Sequence, residues 1–209
     1  KMKETFFTAA KSIQIINKVK DSKFYGSIAR ADTREEANDF VSKIKEMYSD
    51  ATHNVSAYVI GNAGQEIKYA DDDGEPAGSS GPPVLQAIEG ADLTNTVIVV
   101  TRYFGGTKLG IGGLIRAYGD TARLAIAEAG RKKLSLFYSL EISTNYNHIG
   151  TLLGQVEAYQ AELNDTRYTN DGIIIKVLLT PEKKESLIKT LIERTSNQVS
   201  FREIGHLYR

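Results

Sequence analysis

Apolar positions in the first 130 residues change period several times, and each change marks an element. "SIQIINKVKDSKFYGSIARA" alternates in two stretches around a charged bend, predicting strands near 12–19 and 23–30. "TREEANDFVSKIKEMY" shifts to a helical period: Ala37, Phe40, Val41, Ile44 and Met47 fall on one face, and Thr33 followed by Glu36 spells a capping box. "HNVSAYVIG" returns to a strand, "GQEIKYADDDGEPAGSSG" is a short strand entering a long polar loop, and "PPVLQAIEG" is a helix opened by proline and closed by Gly90. "TNTVIVVTRYF" has the β-branched run of a buried strand. After a glycine-rich stretch, Leu114, Ala117, Tyr118, Thr121, Ala125 and Ile126 stand at core spacing on a helix that ends at Gly130.

From residue 131 the pattern is more regular. Strands over 134–144, 161–168, 172–180 and 198–208, with helices over 147–159 and 181–194, spell βαββαβ, the ferredoxin-like order. The chain therefore reads as two α+β domains, 1–130 and 131–209. In "GIIIKVLLT", Ile173, Ile175, Val177 and Leu179 share one face while Ile174 and Leu178 flank Lys176 on the other. One face is expected to meet helices and the other a domain or subunit. The strand lacks the stacking aromatics of an RNA-recognition motif, so its topology alone does not imply RNA binding.

Composition narrows the function classes. The 26 basic and 26 acidic residues cancel, so no global field draws the chain to nucleic acid or an anionic membrane. Cysteine is absent, which excludes disulfides, thiolate chemistry and cysteine zinc sites. No run approaches the ~18 apolar residues of a membrane span, and "KMKETFFTAAKS" lacks the apolar stretch of a signal peptide. A cytoplasmic protein without membrane association is expected, with Met2 as the natural start.

The chemistry concentrates in two loops. "TRYFGGTKLGIGGLIRAYG" (101–119) fails as a Walker A loop, because Ile111 and Gly112 stand where lysine and a hydroxyl are required, and it fails the dinucleotide fingerprint at Ile115. Two readings remain: a tight packing corner, or an anion-binding loop built from helix-start N–H groups with Arg102 and Lys108 beside them. In "DDDGEPAGSSGPP", Asp71, Asp73 and Glu75 alternate like calcium ligands, yet Pro76 and Pro82 occupy positions where an EF-hand needs glycine and glutamate. No dedicated calcium site is expected, and the acids read as solvated. Ser79, Ser80 and Gly81 read as caps first and anion ligands second. His53, Ser79 or Ser80, and Asp72 supply the residue types of a nucleophilic triad, but no G-x-S-x-G elbow is present. His53 with Asn54 could line the polar loop, while His148 and His206 suit exposed or capping roles and show no metal-ligand spacing.

"GPPVLQAIEGADLTNTVIVVTRYFGGTKLG", together with "ATHNVSAY" and "DDDGEPAGSSG", closely resembles the bacterial YigZ and eukaryotic IMPACT family over most of residues 15–130. The motif includes Gly81, Arg102, Tyr103, Phe104, Gly105, Gly106 and Gly110, and Lys23 stands where many members have arginine. The carboxyl-terminal half is similar to the second domain of the bacterial members. The resemblance implies a first domain with the α+β fold of a ribosomal protein's second domain, shared with domain IV of elongation factor G, and a second domain like domain V of that factor. It also implies a role in translation, since eukaryotic relatives regulate it under amino-acid starvation. The proline-dipeptidase label carried by some bacterial members finds no metal-binding set here.

The leading expectation is a translation-linked binding protein engaging RNA, the ribosome or a translation-associated protein. A small-molecule or phosphate-dependent enzyme and a pure protein adaptor are the alternatives. The candidate ligand or anion residues are His53, Asn54, Asp72, Glu75, Ser79, Ser80, Arg102, Tyr103, Gly105, Gly106 and Lys108. No cofactor or metal is expected. The two glycine-rich helix starts are expected to share one electropositive pocket.

Overall fold

The computed structural model describes residues 3–61 and 64–209, so Met2 lies outside the described residues. The fold is mixed α+β, and the chain divides into two compact units, 1–133 and 134–209.

In the first unit, β2 (Ile13–Val19), β3 (Ser22–Arg30), β4 (His53–Ile60), β5 (Ile67–Asp71) and β6 (Thr96–Tyr103) form a sheet ordered β2-β3-β6-β4-β5, antiparallel throughout. Successive side chains point to opposite faces. Phe24, Ile28, Val55, Ala57, Ile98 and Val100 pack with α2 (Gly81–Gly90) and α3 (Ile111–Ala129). Ala29, Ala31, Tyr58, Ile60 and Val97 pack with α1 (Arg34–Met47). Covered on both faces, β4 and β6 are buried along nearly their whole length, which explains the unbroken apolar run of "TVIVV". The predicted face of α3 is buried at all six positions.

Three local features depart from the sequence pattern. A short strand, β1 (Thr5–Ala9), precedes the expected hairpin, and its Phe7 bridges to Leu93. Met47, at 58% exposure, lies off the buried face of α1. The capping box is shifted by one residue: Thr33 Oγ1 accepts from Glu36 N, but Glu36 Oε2 accepts from Asp32 N.

The second unit begins within β7 (Arg131–Asn145) and continues with α4 (Ile149–Ala158), β8 (Glu162–Tyr168), β9 (Gly172–Leu179), α5 (Pro181–Arg194) and β10 (Val199–Tyr208). Its strands lie in the order β10-β7-β9-β8 with antiparallel neighbours. Ile173, Ile175, Val177 and Leu179 join Leu152, Val156, Leu187 and Leu191 in its core. On the other side of β9, Leu178 is buried and Ile174 half-buried. His148 sits at the start of α4 without capping it, and His206 is exposed with its ring edge toward Tyr138. No helix among the described residues is long and apolar enough to cross a membrane.

Candidate functional site

The site begins with strand register. His53 pairs with Arg102 across β4 and β6, and Arg102 pairs with Phe24 of β3, so all three side chains stand at one end of the face covered by α2 and α3. The chain then turns through Phe104–Gly110 and enters α3 at Ile111, closing a cleft of about 470 Å3. Its walls are Thr52, Pro76, Phe104, Leu109, Ile111 and Leu114, and its polar groups are His53, Glu75, Arg102 and Lys108.

Glu75 holds the polar end together. Arg102 Nη1 donates to Glu75 Oε1 over 2.6 Å, and the Tyr118 hydroxyl donates to the same oxygen over 2.8 Å. Burial, then the nearby Glu75 charge and hydrogen bond, push the Tyr118 hydroxyl well above its ordinary range, so it remains a donor. His53 Nε2 lies 3.8 Å from Glu75 Oε2, while Nδ1 is 2.8 Å from the Asp73 carbonyl. A carbonyl can only accept, so Nδ1 carries the proton and Nε2 faces the carboxylate. The Arg102 guanidinium lies over the rings of Phe24 at 5.6 Å and Phe104 at 5.3 Å. Its Nε is one of two buried side-chain polar atoms among the described residues without a hydrogen-bond partner.

The 71–83 loop turns out to be internally bonded rather than solvated. Lys45 meets Asp73 at 2.6 Å and Asp71 at 3.6 Å, and Asp73 Oδ2 also accepts from Asn54 N. Asp72 Oδ1 accepts from Ser80 N, Ser80 Oγ and Gly81 N, while Oδ2 accepts from Gly78 N. Burial works against the Asp72 charge, but these bonds from Gly78, Ser80 and Gly81 outweigh it and hold the carboxyl below its ordinary range. The start of α2 thus receives its anion from its own chain, and Ser80 donates to that anion instead of capping the helix. This corrects the shared pocket of two helix starts: only α3 opens into the cleft, and Glu75 stands within it.

The candidate residues therefore separate. His53, Glu75, Arg102 and Lys108 meet in the cleft. Asn54, Ser79 and Ser80 are buried framework: Asn54 bonds Tyr48 O and Thr101, and Ser79 donates to Pro76 O. Tyr103 points to the opposite sheet face, where its hydroxyl donates to Asp50, a bond that pushes its pKa up to about 12. Gly105 and Gly106 form the turn; a Cβ on Gly105 would fall 1.9 Å from Asp21 O, and Gly106 has φ +98°. No triad forms, because Asp72 and Ser80 bond each other while His53 turns to Asp73 and Glu75. Among the described residues no cluster of three or more potential ligands could hold a metal ion.

Sequence reading missed Tyr118 as a site residue, because its spacing on α3 identified it only as core. It also missed Leu109, Ile111 and Leu114, whose apolar pattern looks the same whether it lines a cleft or a core. Phe104, quoted within the motif, lines the cleft and a second hollow formed by Asp21, Lys23, Tyr25, Asp50 and Tyr103. Tyr25 there stacks on Tyr48 at 5.5 Å and meets Tyr103 edge-on at 5.9 Å.

Comparison with known proteins agrees with this layout. The Impact N-terminal domain matches residues 20–126, which carry every polar group of the cleft. The chain is 33% identical over 202 residues to the IMPACT family member YvyE of Bacillus subtilis, covering 97% of this chain and 92% of that protein. It is 38% identical over 82 residues to the Protein IMPACT homolog of Saccharomyces cerevisiae, covering 38% of this chain and 31% of that one. A crystal structure of a hypothetical protein superposes with a TM-score of 0.68 at 25% identity, covering 98% of this chain and 99% of its own. With its first unit built on the Impact N-terminal domain and a bacterial relative matched along nearly its whole length, the chain belongs to the IMPACT family.

Proposed function

We propose that this chain is a translation-linked binding protein that engages a translation-associated protein, rather than RNA, through the surface around Phe104. The translation link follows from family membership and the role of its eukaryotic members. The observation that carries the binding surface is Phe104 itself: it is 44% exposed and forms the ridge between two hollows, an apolar cleft on one side and a tyrosine-lined hollow on the other. An exposed aromatic between two recesses suits an extended partner segment that fills both. Asp21 and Asp50 outnumber Lys23 in the second hollow, which disfavours a phosphate backbone and favours a polypeptide.

Binding is favoured over catalysis because the candidate nucleophiles Ser79 and Ser80 are fully buried and bonded to Pro76 O and Asp72, and Thr52, whose hydroxyl lines the cleft, accepts there from Phe104 N. The test replaces Phe104 by a photo-crosslinking aromatic in the full chain and identifies what is captured in cells, with and without nuclease. Capture of translation proteins that resists nuclease is expected. Cross-links confined to RNA, with affinity falling steeply as salt rises, would overturn the choice of partner. Cross-links to nothing would overturn the surface.

A further inference from the structure

We propose that the cleft beside Phe104 receives a primary carboxamide, the side chain of a glutamine or asparagine in an extended polypeptide, with its NH2 group between His53 Nε2 and Glu75 Oε2. This deepens the partner-binding reading above and rests on it.

Two acceptors face each other in the cleft. His53 Nδ1 donates to the Asp73 carbonyl, so Nε2 presents its lone pair, and Glu75 Oε2 stands 3.8 Å away. Arg102 and Tyr118 both donate to the other carboxylate oxygen, Oε1, and no donor among the described residues reaches Oε2 or Nε2 within hydrogen-bond distance. The Glu75 side chain is only 4% exposed. Even so, the sealed side-chain polar atoms without a partner are Ser56 Oγ and Arg102 Nε, so Oε2 and Nε2 are reached from the cleft that both residues line. Two lone pairs at this separation repel, and a donor shared between them converts the repulsion into two hydrogen bonds.

The separation fixes what the donor must carry. A nitrogen about 2.9 Å from both atoms sees them about 80° apart, so it must bring two hydrogens, each bond bent but well above the ~120° at which hydrogen bonds weaken. A hydroxyl or a peptide N–H brings one and leaves an acceptor unmade. A carboxylate brings none and meets the Glu75 charge. An ammonium has hydrogens enough, but Arg102 already neutralises Glu75 over 2.6 Å and Lys108 adds a further positive charge to the lining, so a cation gains little.

A carboxamide is neutral, has two N–H bonds on one nitrogen, and finds partners for its carbonyl as well. Lys108 is exposed and makes no ion pair among the described residues, and Thr52 Oγ1, which accepts from Phe104 N, keeps its own O–H to donate. Around these four groups, Pro76, Phe104, Leu109, Ile111 and Leu114 give the methylene stem an apolar wall. A side chain of an extended polypeptide fits better than a free amide because the hollow on the other side of Phe104 gives the neighbouring residues a place to lie.

The test is NMR titration of the full chain with alanine-X-alanine peptides, acetylated at one end and closed by an N-methylamide at the other, so that the central side chain carries any primary carboxamide. X is glutamine, asparagine, glutamate, lysine or methionine; free glutamine and a short single-stranded RNA are the competitors. The better amide peptide is expected to bind about tenfold or more tightly than the glutamate, lysine and methionine peptides, because a site of matched donors and acceptors rejects analogues that leave them unmade. It should also shift the His53 Nε2 resonance, which responds to a hydrogen bond accepted there. His53→Phe keeps a ring but no acceptor and should erase the preference. Lys108→Met, at an exposed position, should weaken the amide peptide about threefold or more without lowering the melt, and it carries the test if His53→Phe does lower it. Equal binding of the amide and methionine peptides, tighter binding of glutamate or lysine, no binding at millimolar concentration, or a preference unchanged in both variants overturns the proposal. Free glutamine binding as tightly as the peptide overturns the polypeptide in favour of a free amide, and displacement by RNA overturns it in favour of a base edge. If Phe104 cross-links translation proteins but no amide preference is found, this inference falls and the partner-binding reading stands. Amide-selective binding without any such cross-link does the reverse.

Discussion

Arg102 and Glu75, 27 residues apart in sequence, meet over 2.6 Å with side chains only 6% and 4% exposed. A buried pair of this kind is costly to break from one side, because the remaining charge keeps its desolvation penalty and loses its partner. Arg102→Met and Glu75→Gln are each expected to destabilise the first unit by about 3–5 kcal/mol in urea melts. The double variant removes both charges and keeps an amide oxygen for Tyr118, so it should be no less stable than the worse single variant, which corresponds to a coupling of about 3 kcal/mol or more. Simple additivity would show that the pair does not organise the cleft.

Asp72 predicts a pH dependence of the opposite half of the loop. Its folded carboxyl lies below its ordinary range, so the stability it contributes is present above the unfolded value, near ~3.9, and is lost as pH falls through the lower folded value. Asp72→Ala leaves Gly78 N, Ser80 N, Ser80 Oγ and Gly81 N without their acceptor and should cost about 2 kcal/mol at pH 7. The gap between wild type and variant should narrow below pH 4. A gap independent of pH would mean the hydrogen bonds, and not the charge, provide the stability.

Each unit carries its own core. One apolar cluster draws on residues from Phe7 to Ala129, and the other on residues from Leu140 to Phe201, with no residue in common. Fragments 1–133 and 134–209 are therefore expected to unfold cooperatively when made separately. Circular dichroism melts check this, and a fragment with no cooperative transition refutes it.

Most of the fold was legible because its periods are local. Alternation in "SIQIINKV", the helical spacing from Leu114 to Ile126, and the βαββαβ series after residue 131 each follow from side chains a few positions apart. The site was less legible because it depends on register and on loop closure. His53 stands beside Arg102 only because β4 and β6 pair at that offset, and no local pattern sets the offset. The helix start at Gly81 was recognisable as an anion acceptor, but which carboxylate would fill it was not: Asp71, Asp72, Asp73 and Glu75 are alike in sequence, and backbone turns send them to Lys45, to α2, to Asn54 and to Arg102. "TFFTA" escaped notice as a strand because its nearest partner, Leu93, lies far along the chain.

The glycines of the 101–119 stretch differ in how closely the chain packs around them, and substitution should distinguish a packing corner from an open helix start. A methyl on Gly105 would meet Asp21 O at 1.9 Å and Asp21 C at 2.1 Å, so the Phe104–Gly106 turn must move away from the β2-β3 hairpin to accommodate it. Gly105→Ala is expected to destabilise the first unit by about 1–3 kcal/mol and to shift the amide resonances of Asp21 and Ser22. A methyl on Gly112 meets nothing within 4 Å, and the residue is already helical, so Gly112→Ala should be neutral or stabilise by up to about 1 kcal/mol through helix propensity. If Gly112→Ala instead lowers the melt as much as Gly105→Ala, glycine at 112 is a packing requirement of the fold, and the start of α3 is not open.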